Sequence, residues 1–324
     1  MPRTAVVLAE PGLIAERVVA AWLADGNRIS RIVSSSAAAR SADWRARLRS
    51  AASGVQTLGV LAHRAGIPVT TLPRTDEGRT IFPDDFAAGA DTLITAMTLL
   101  IIPPEILTQF AYAVNVHPAL LPHYKGPVPR LGLLADAMAH LYGGVTLHVL
   151  EPTIDTGPII AQRPTPLTPG MSYWTWEATM AAAAADMVRH ELHDFMTGAE
   201  AATPQSGAGS YRRRAPGEFR IAATHTASEA ERFIERCRGF TVMCDLRGTP
   251  HAGPQHGGRY PIIRLRRRIG APTKAPSVVR VGTIEMDLSD ARVVFARRRA
   301  WHRGRDWIAR IVATRRTLKE PAGL

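Results

Sequence analysis

Asn115 and His117 sit two residues apart in AVNVHPALLPHYKG, residues 113–126, a stretch that starts as an apolar β-like segment and breaks at Pro118. In a strand, alternate residues project to one face, so this amide and this imidazole emerge side by side at the strand's end. Pro118 then stops the ladder. A non-titrating amide donor next to the side chain that titrates near neutral pH can stabilise a developing negative oxygen and move a proton. A strand-end histidine satisfied by loop carbonyls would show the same local pattern. A second segment, GGVTLHVLEPTIDTGPIIAQ, carries a β pattern into a loop that holds Asp155 just before Thr156, Gly157 and Pro158.

The elements that must position these groups follow from the apolar pattern. TAVVLA, a Pro-Gly break, and a helical stripe of Ile14, Val18, Val19, Trp22 and Leu23 make a β-α-β opening. VQTLGVLAHRAG is helical, IPVTTL and DTLITAM extended, PPEILTQF a short helix and AVNVH extended. Strands alternating with helices favour a largely parallel, Rossmann-like α/β sheet with its ligand crevice beyond the strands' carboxyl ends. GGVTLHVL and GPIIAQRPTPL follow as strands, and YWTWEATMAAAAADMVRHELHDFM as one long helix. TGAEAATPQSGAGS reads as a linker. The expected division is a catalytic domain over 1–198, a linker over 199–210 and a small β-rich, barrel-like domain over 211–324, with a helix in TASEAERFIERCRGF.

Composition narrows the class. The chain has 324 residues, 46% hydrophobic and 21% charged, with a net charge of +12. Residues 1–200 carry 15 basic and 18 acidic side chains, residues 201–324 carry 25 and 10, so the second part alone is +15. Such asymmetry suggests a polyanionic or phosphorylated ligand. Cys237 and Cys244 form no CxxC, so no disulfide framework or cysteine-based zinc site is indicated and a reduced, cytoplasmic setting is expected. The longest apolar run ends at Pro103 and Pro104, too short to span a bilayer. GxGxxG, GxxxxGK[ST] and GxSxG are missing, which removes the usual sequence signatures of dinucleotide binding, P-loop phosphoryl transfer and serine hydrolysis. His190 and His193, three apart in HELH, lack the remainder of a ligand set, as do His251 and His256.

The two linked motifs, VNVHPALLPHYKG and the DTG of GGVTLHVLEPTIDTGPIIAQ, resemble those of the formyltetrahydrofolate-dependent formyltransferase family. Its members include glycinamide ribonucleotide transformylase, methionyl-tRNA formyltransferase and amino-sugar N-formyltransferases. The resemblance covers residues 4 to about 195 and extends loosely past the linker in YRRRAPGEFRIAATHTASEAERFIERCRGF. It implies N-formylation of a primary amine with 10-formyltetrahydrofolate as donor, without a metal, and makes Asn115, His117 and Asp155 the catalytic set. It further implies that Met97, Thr98, Leu99, Thr153 and Ile154 contact the folate, and that Lys125, Thr146 and His148 serve the amine acceptor.

Several positions depart from the family's pattern. AMTLLII is aliphatic where an aromatic or basic residue is common, and Ala119 replaces a serine. The first strand is followed by AEPGL instead of Gly-Thr-Pro, and the second by SSSAAARSADWRARLRS instead of a Pro- and Gly-rich basic loop. These replacements favour a small acceptor such as a nucleotide-linked amino sugar. Arg40, Arg45, Arg47 and Arg49 keep the replacement loop basic, so methionyl-tRNA stands as the alternative. Hydrolysis of the folate with water as acceptor is a further alternative, as is a catalytically inactive, nucleic-acid-binding relative.

Overall fold

A computed structural model describes residues 2–215, 218–247, 251–252, 258–298 and 300–319. Seven strands build the first sheet: Thr4–Ala9 (β1), Arg28–Val33 (β2), Val69–Thr70 (β3), Thr92–Ala96 (β4), Tyr112–His117 (β5), Gly144–Val149 (β6) and Ile159–Pro164 (β7). Their order is β3-β2-β1-β4-β5-β6-β7, parallel as far as β5 and antiparallel across β5-β6 and β6-β7. TAVVLA and TLITA are almost wholly buried, as strands covered on both faces must be. Leu13–Ala24 (α1) lies on this sheet through Ile14, Val18, Val19 and Trp22.

Between β2 and β3, a single 3-10 turn at Ala37–Arg40 leads to the helices Trp44–Ser53 (α2) and Leu58–Ala65 (α3). The expected basic loop is therefore a capped helix. Asp43 accepts the Ala46 amide at 2.8 Å at its start, and Gly54 ends it at φ 74°. Short helices follow at Pro104–Leu107 (α4), Pro129–Ala135 (α5) and Ala139–Tyr142 (α6). The long helix expected over 173–196 is broken at His190 into Tyr173–Arg189 (α7) and Glu191–Thr197 (α8).

Beyond it lie Arg220–Ile221 (β8), Ala227–Arg236 (α9), Val242–Asp245 (β9), His251–Ala252 (β10), Arg259–Gly270 (β11), Ser277–Val279 (β12), Thr283–Asp287 (β13) and Arg292–Arg297 (β14). They form a second sheet in the order β10-β12-β13-β14-β11-β9-β8, a curled half-barrel whose edges, among the described residues, do not pair with each other. His256 lies outside the described residues.

Two features were not expected. Ala300–Lys319 (α10) follows β14 and returns to the first sheet's side, against α7 and α2. There the Arg310 guanidinium lies 5.3 Å from the Trp174 ring and 3.9 Å from Glu177. The segment expected to be a linker is fastened to the α/β sheet: Thr203 and Ile159 exchange backbone hydrogen bonds at 2.7 and 2.8 Å, and the Lys125 amide donates to the Ser210 carbonyl at 2.8 Å. One buried apolar cluster runs from Ala5 in β1 to Phe295 in β14 and includes residues of both sheets.

Candidate active site

Asn115 and His117 end β5, and the antiparallel register sets His148 opposite Asn115 and Thr146 opposite His117. The N-x-H of β5 thus faces the T-x-H of β6, so one sheet face gathers four polar side chains. Asp155 comes to this face on the turn after β6, at φ 53°, a left-handed conformation that aspartate tolerates better than most residues. Gly157 fixes the return of that turn. A Cβ there would stand 1.9 Å from the Val149 carbonyl oxygen, so any other residue would have to displace that carbonyl.

Around Asp155 the contacts converge. Its Oδ1 accepts from Asn115 Nδ2 at 3.3 Å, its Oδ2 accepts the Gly126 amide at 2.8 Å, and His117 Nδ1 lies 3.5 Å from Oδ2. His117 Nε2 is 2.9 Å from the Tyr124 carbonyl, which has no proton to give, so Nε2 carries the hydrogen and Nδ1 is the basic nitrogen. By the same logic His148 donates from Nδ1 to the Val149 carbonyl at 2.8 Å and accepts from Asn115 Nδ2 at Nε2, at 3.0 Å. Thr95 donates to Asn115 Oδ1 at 2.7 Å, which fixes the amide with its nitrogen towards Asp155.

Burial sets the charges. His117 is 3% exposed, and this desolvation lowers its pKa from the ordinary 6.5 although the Asp155 charge works the other way. Burial alone would raise the Asp155 carboxyl, but the His148 and His117 rings, once protonated, and the Gly126 amide more than offset it and hold it down to about 2. At neutral pH the site therefore holds a carboxylate beside a neutral imidazole.

These groups stand at the floor of a cavity of about 560 Å³. Met97, Thr98, Leu99 and Ile154 line it, together with the aliphatic run to Ile102 and with Leu150 and Pro152. Thr153, Lys125, Thr146 and His148 are not among the lining residues. Thr146 is fully buried, donating to the Ala119 carbonyl at 2.7 Å and accepting the Leu121 amide at 3.1 Å, so its hydroxyl shapes the loop after β5 and does not line the cavity. His148 is equally buried and acts on Asn115 and Asp155 from behind. Lys125 is half-buried, and its backbone pairs with Tyr211 and Arg212.

Arg130, Tyr211 and Arg213 are among the lining residues that escaped the sequence reading. Arg130, on α5, is held by Glu177 of α7 at 2.6 Å and reaches Met97 Sδ at 3.8 Å. Tyr211 and Arg213 arrive from beyond the supposed linker, with Tyr211 46% exposed at the cavity's edge and the Arg213 guanidinium 5.6 Å from its ring. An Arg four residues past a motif glycine, or a Tyr in SYRRR, carries no local pattern to reveal such a role. Among the described residues, no group of three or more His, Cys, Asp or Glu side chains could hold a metal ion, His190 and His193 included.

A largely parallel sheet with an Asn-x-His strand end, a facing aspartate and an adjoining apolar cavity defines an α/β domain that gathers its chemistry at the carboxyl ends of its strands. Residues 41–189, just under half of the chain, match the formyl transferase family. The methionyl-tRNA formyltransferase of Roseiflexus castenholzii is 35% identical over 153 residues, 45% of this chain and 46% of that protein. That of Methylobacterium sp. strain 4-46 is 27% identical over 234 residues, 69% of this chain and 71% of that protein. The chain spans about half the length of the Roseiflexus relatives it matches. Among solved structures, the N-formyltransferase from Helicobacter canadensis in complex with folinic acid and dTDP-3-aminofucose has a TM-score of 0.57 at 15% identity, over 92% of this chain and 99% of that one, a likeness of fold.

Proposed function

We propose that the protein transfers a formyl group from 10-formyltetrahydrofolate to a primary amine. The observation that carries this is the cluster of Asn115, His117 and Asp155 at the floor of an apolar-walled cavity, with His117 Nδ1 3.5 Å from Asp155. The amine nitrogen attacks the formyl carbon, and the resulting tetrahedral oxyanion needs a fixed donor. Asn115 Nδ2 is that donor: its longer bond, the 3.3 Å one to Asp155, is the one an oxyanion takes over. His117 Nδ1 receives the proton that the attacking amine loses, and the Asp155 carboxylate stabilises the imidazolium formed. The proton then passes to the departing folate nitrogen as its bond to the formyl carbon breaks. The largely aliphatic wall from Met97 to Ile102 offers apolar contact of the kind a pterin ring needs.

For the acceptor, methionyl-tRNA has the better support. Curated relatives at 27% and 35% identity bear that name, and the segment after residue 200 carries +15. A nucleotide-linked amino sugar is the second reading, favoured by the loss of the Gly-Thr-Pro turn after β1 and of the Pro- and Gly-rich loop after β2. The test offers the full chain 10-formyltetrahydrofolate with methionyl-tRNA, with a panel of nucleotide amino sugars, and with water alone, following tetrahydrofolate by absorbance against salt. A tRNA acceptor should lose log affinity by roughly 0.7 to 0.9 per phosphate contact with log salt. Release of tetrahydrofolate at the same rate in every arm, with or without amine, would replace transfer by hydrolysis, and no release in any arm would sink the reading.

A further inference from the structure

The segment between the two sheets reaches the site directly. Gln205 Nε2 lies 2.9 Å from the Asp155 carbonyl oxygen and 2.9 Å from the Gly157 carbonyl oxygen. Both acceptors lack protons, so the NH2 end of the amide faces them and both of its hydrogens are used. The first is the carbonyl of the left-handed residue itself and the second lies two residues on, where the chain needs an outside hold to keep a non-glycine residue at φ 53°. The backbone around Gln205 is itself pinned, by the Thr203–Ile159 pair on one side and by the Ser210 amide donating to the Pro122 carbonyl at 3.1 Å on the other.

We infer that Gln205 is a positioning residue for the reaction, clamping the turn so that the Asp155 carboxylate faces His117, Asn115 and the Gly126 amide. Gln205 touches no reacting atom. It sets the direction of the one that does, and it belongs to a stretch that sequence pattern assigns to a linker. Without the clamp the turn relaxes, the carboxylate swings, and the Gly126 N–H loses its acceptor.

The clamp is tested by Gln205→Met, which keeps the length of the side chain and removes both donors, with Gln205→Asn as a second variant should the first not fold. In amide correlation spectra of the full chain, the Gly126 proton of wild type should resonate downfield, as expected for a donor to a carboxylate. In the Gln205 variant it should move towards its position in Asp155→Asn. An unchanged Gly126 proton overturns the inference. In the formylation assay, the variant should lose roughly 10- to 100-fold in kcat with the folate KM nearly kept, the scale on which a misplaced group slows a reaction. The double variant Gln205→Met/Asp155→Asn should be no slower than Asp155→Asn alone, whereas multiplied losses would overturn the inference. The kinetic arm rests on the formyl-transfer reading and the spectral arm does not. A wild-type chain that fails to turn over thus counts against that reading, and the Gly126 proton still decides for or against Gln205.

Discussion

His117 and Asp155 divide one task, since a buried imidazole accepts a proton only if a fixed charge stabilises the result. His117→Ala and Asp155→Asn should each lower turnover on the order of 10²-fold or more, the usual worth of a positioned proton-transfer group. Circular dichroism should show the fold retained. Near-wild-type rates in both variants would remove the catalytic assignment. The pH dependence follows from the same burial. His117 titrates below 6.5, so its basic form persists into mildly acidic solution, and the acid limb of kcat/KM should lie below 6.5. A limb above that value would mean another base. Linkage works in the same direction for stability. A lowered His117 makes the unfolded chain bind its proton first as pH falls through 6.5, and Asp155 adds a further loss as pH falls from its ordinary 3.8 through about 2.

At the scale of elements, legibility in the sequence followed packing. The β5 pair could be read because period-two alternation and a proline stop leave few alternatives, and α1 because Ile14, Val18, Val19 and Trp22 form a buried stripe. Helix α10 gave no such stripe: Trp307, Ile308 and Val312 are exposed while Ala313 and Thr314 are buried, and the helix docks partly through Arg310 on Trp174 and Glu177. Helix α2 exposes Trp44 and Leu48 and buries Ala46 and Ser50, which hides it from an apolar count; Asp43 and Gly54 were the signals that could have found it. The place of His148 behind Asn115 could not be read locally, because a T-x-H strand beside an N-x-H strand makes sense only once the two are paired. The turn from β6 to β7 is the least forgiving element of the site. Gly157→Ala must move the Val149 carbonyl out of the way, which in a well-packed region costs about 1–3 kcal/mol. Reduced thermal stability together with lost turnover is expected, and a variant that keeps both would mean the turn is softer than its contacts indicate.

Across the whole molecule, the α/β half is close to neutral and the remainder strongly basic, yet the cavity draws walls from both, with Met97 on one side and Tyr211 and Arg213 on the other. Among the described residues no helix is long and apolar enough to cross a membrane. The expected division near residue 200 took composition as its guide, and composition does change there; what it could not register is that apolar contact continues across the change. The Tyr173 ring of α7 lies 5.6 Å from that of Phe240, which in turn meets Phe219, so among the described residues the cluster that starts in β1 has no seam before β14. A core without a seam has no place to come apart in stages. Heating should therefore give one calorimetric transition whose van't Hoff and calorimetric enthalpies agree, in place of the two steps that separately folded domains display.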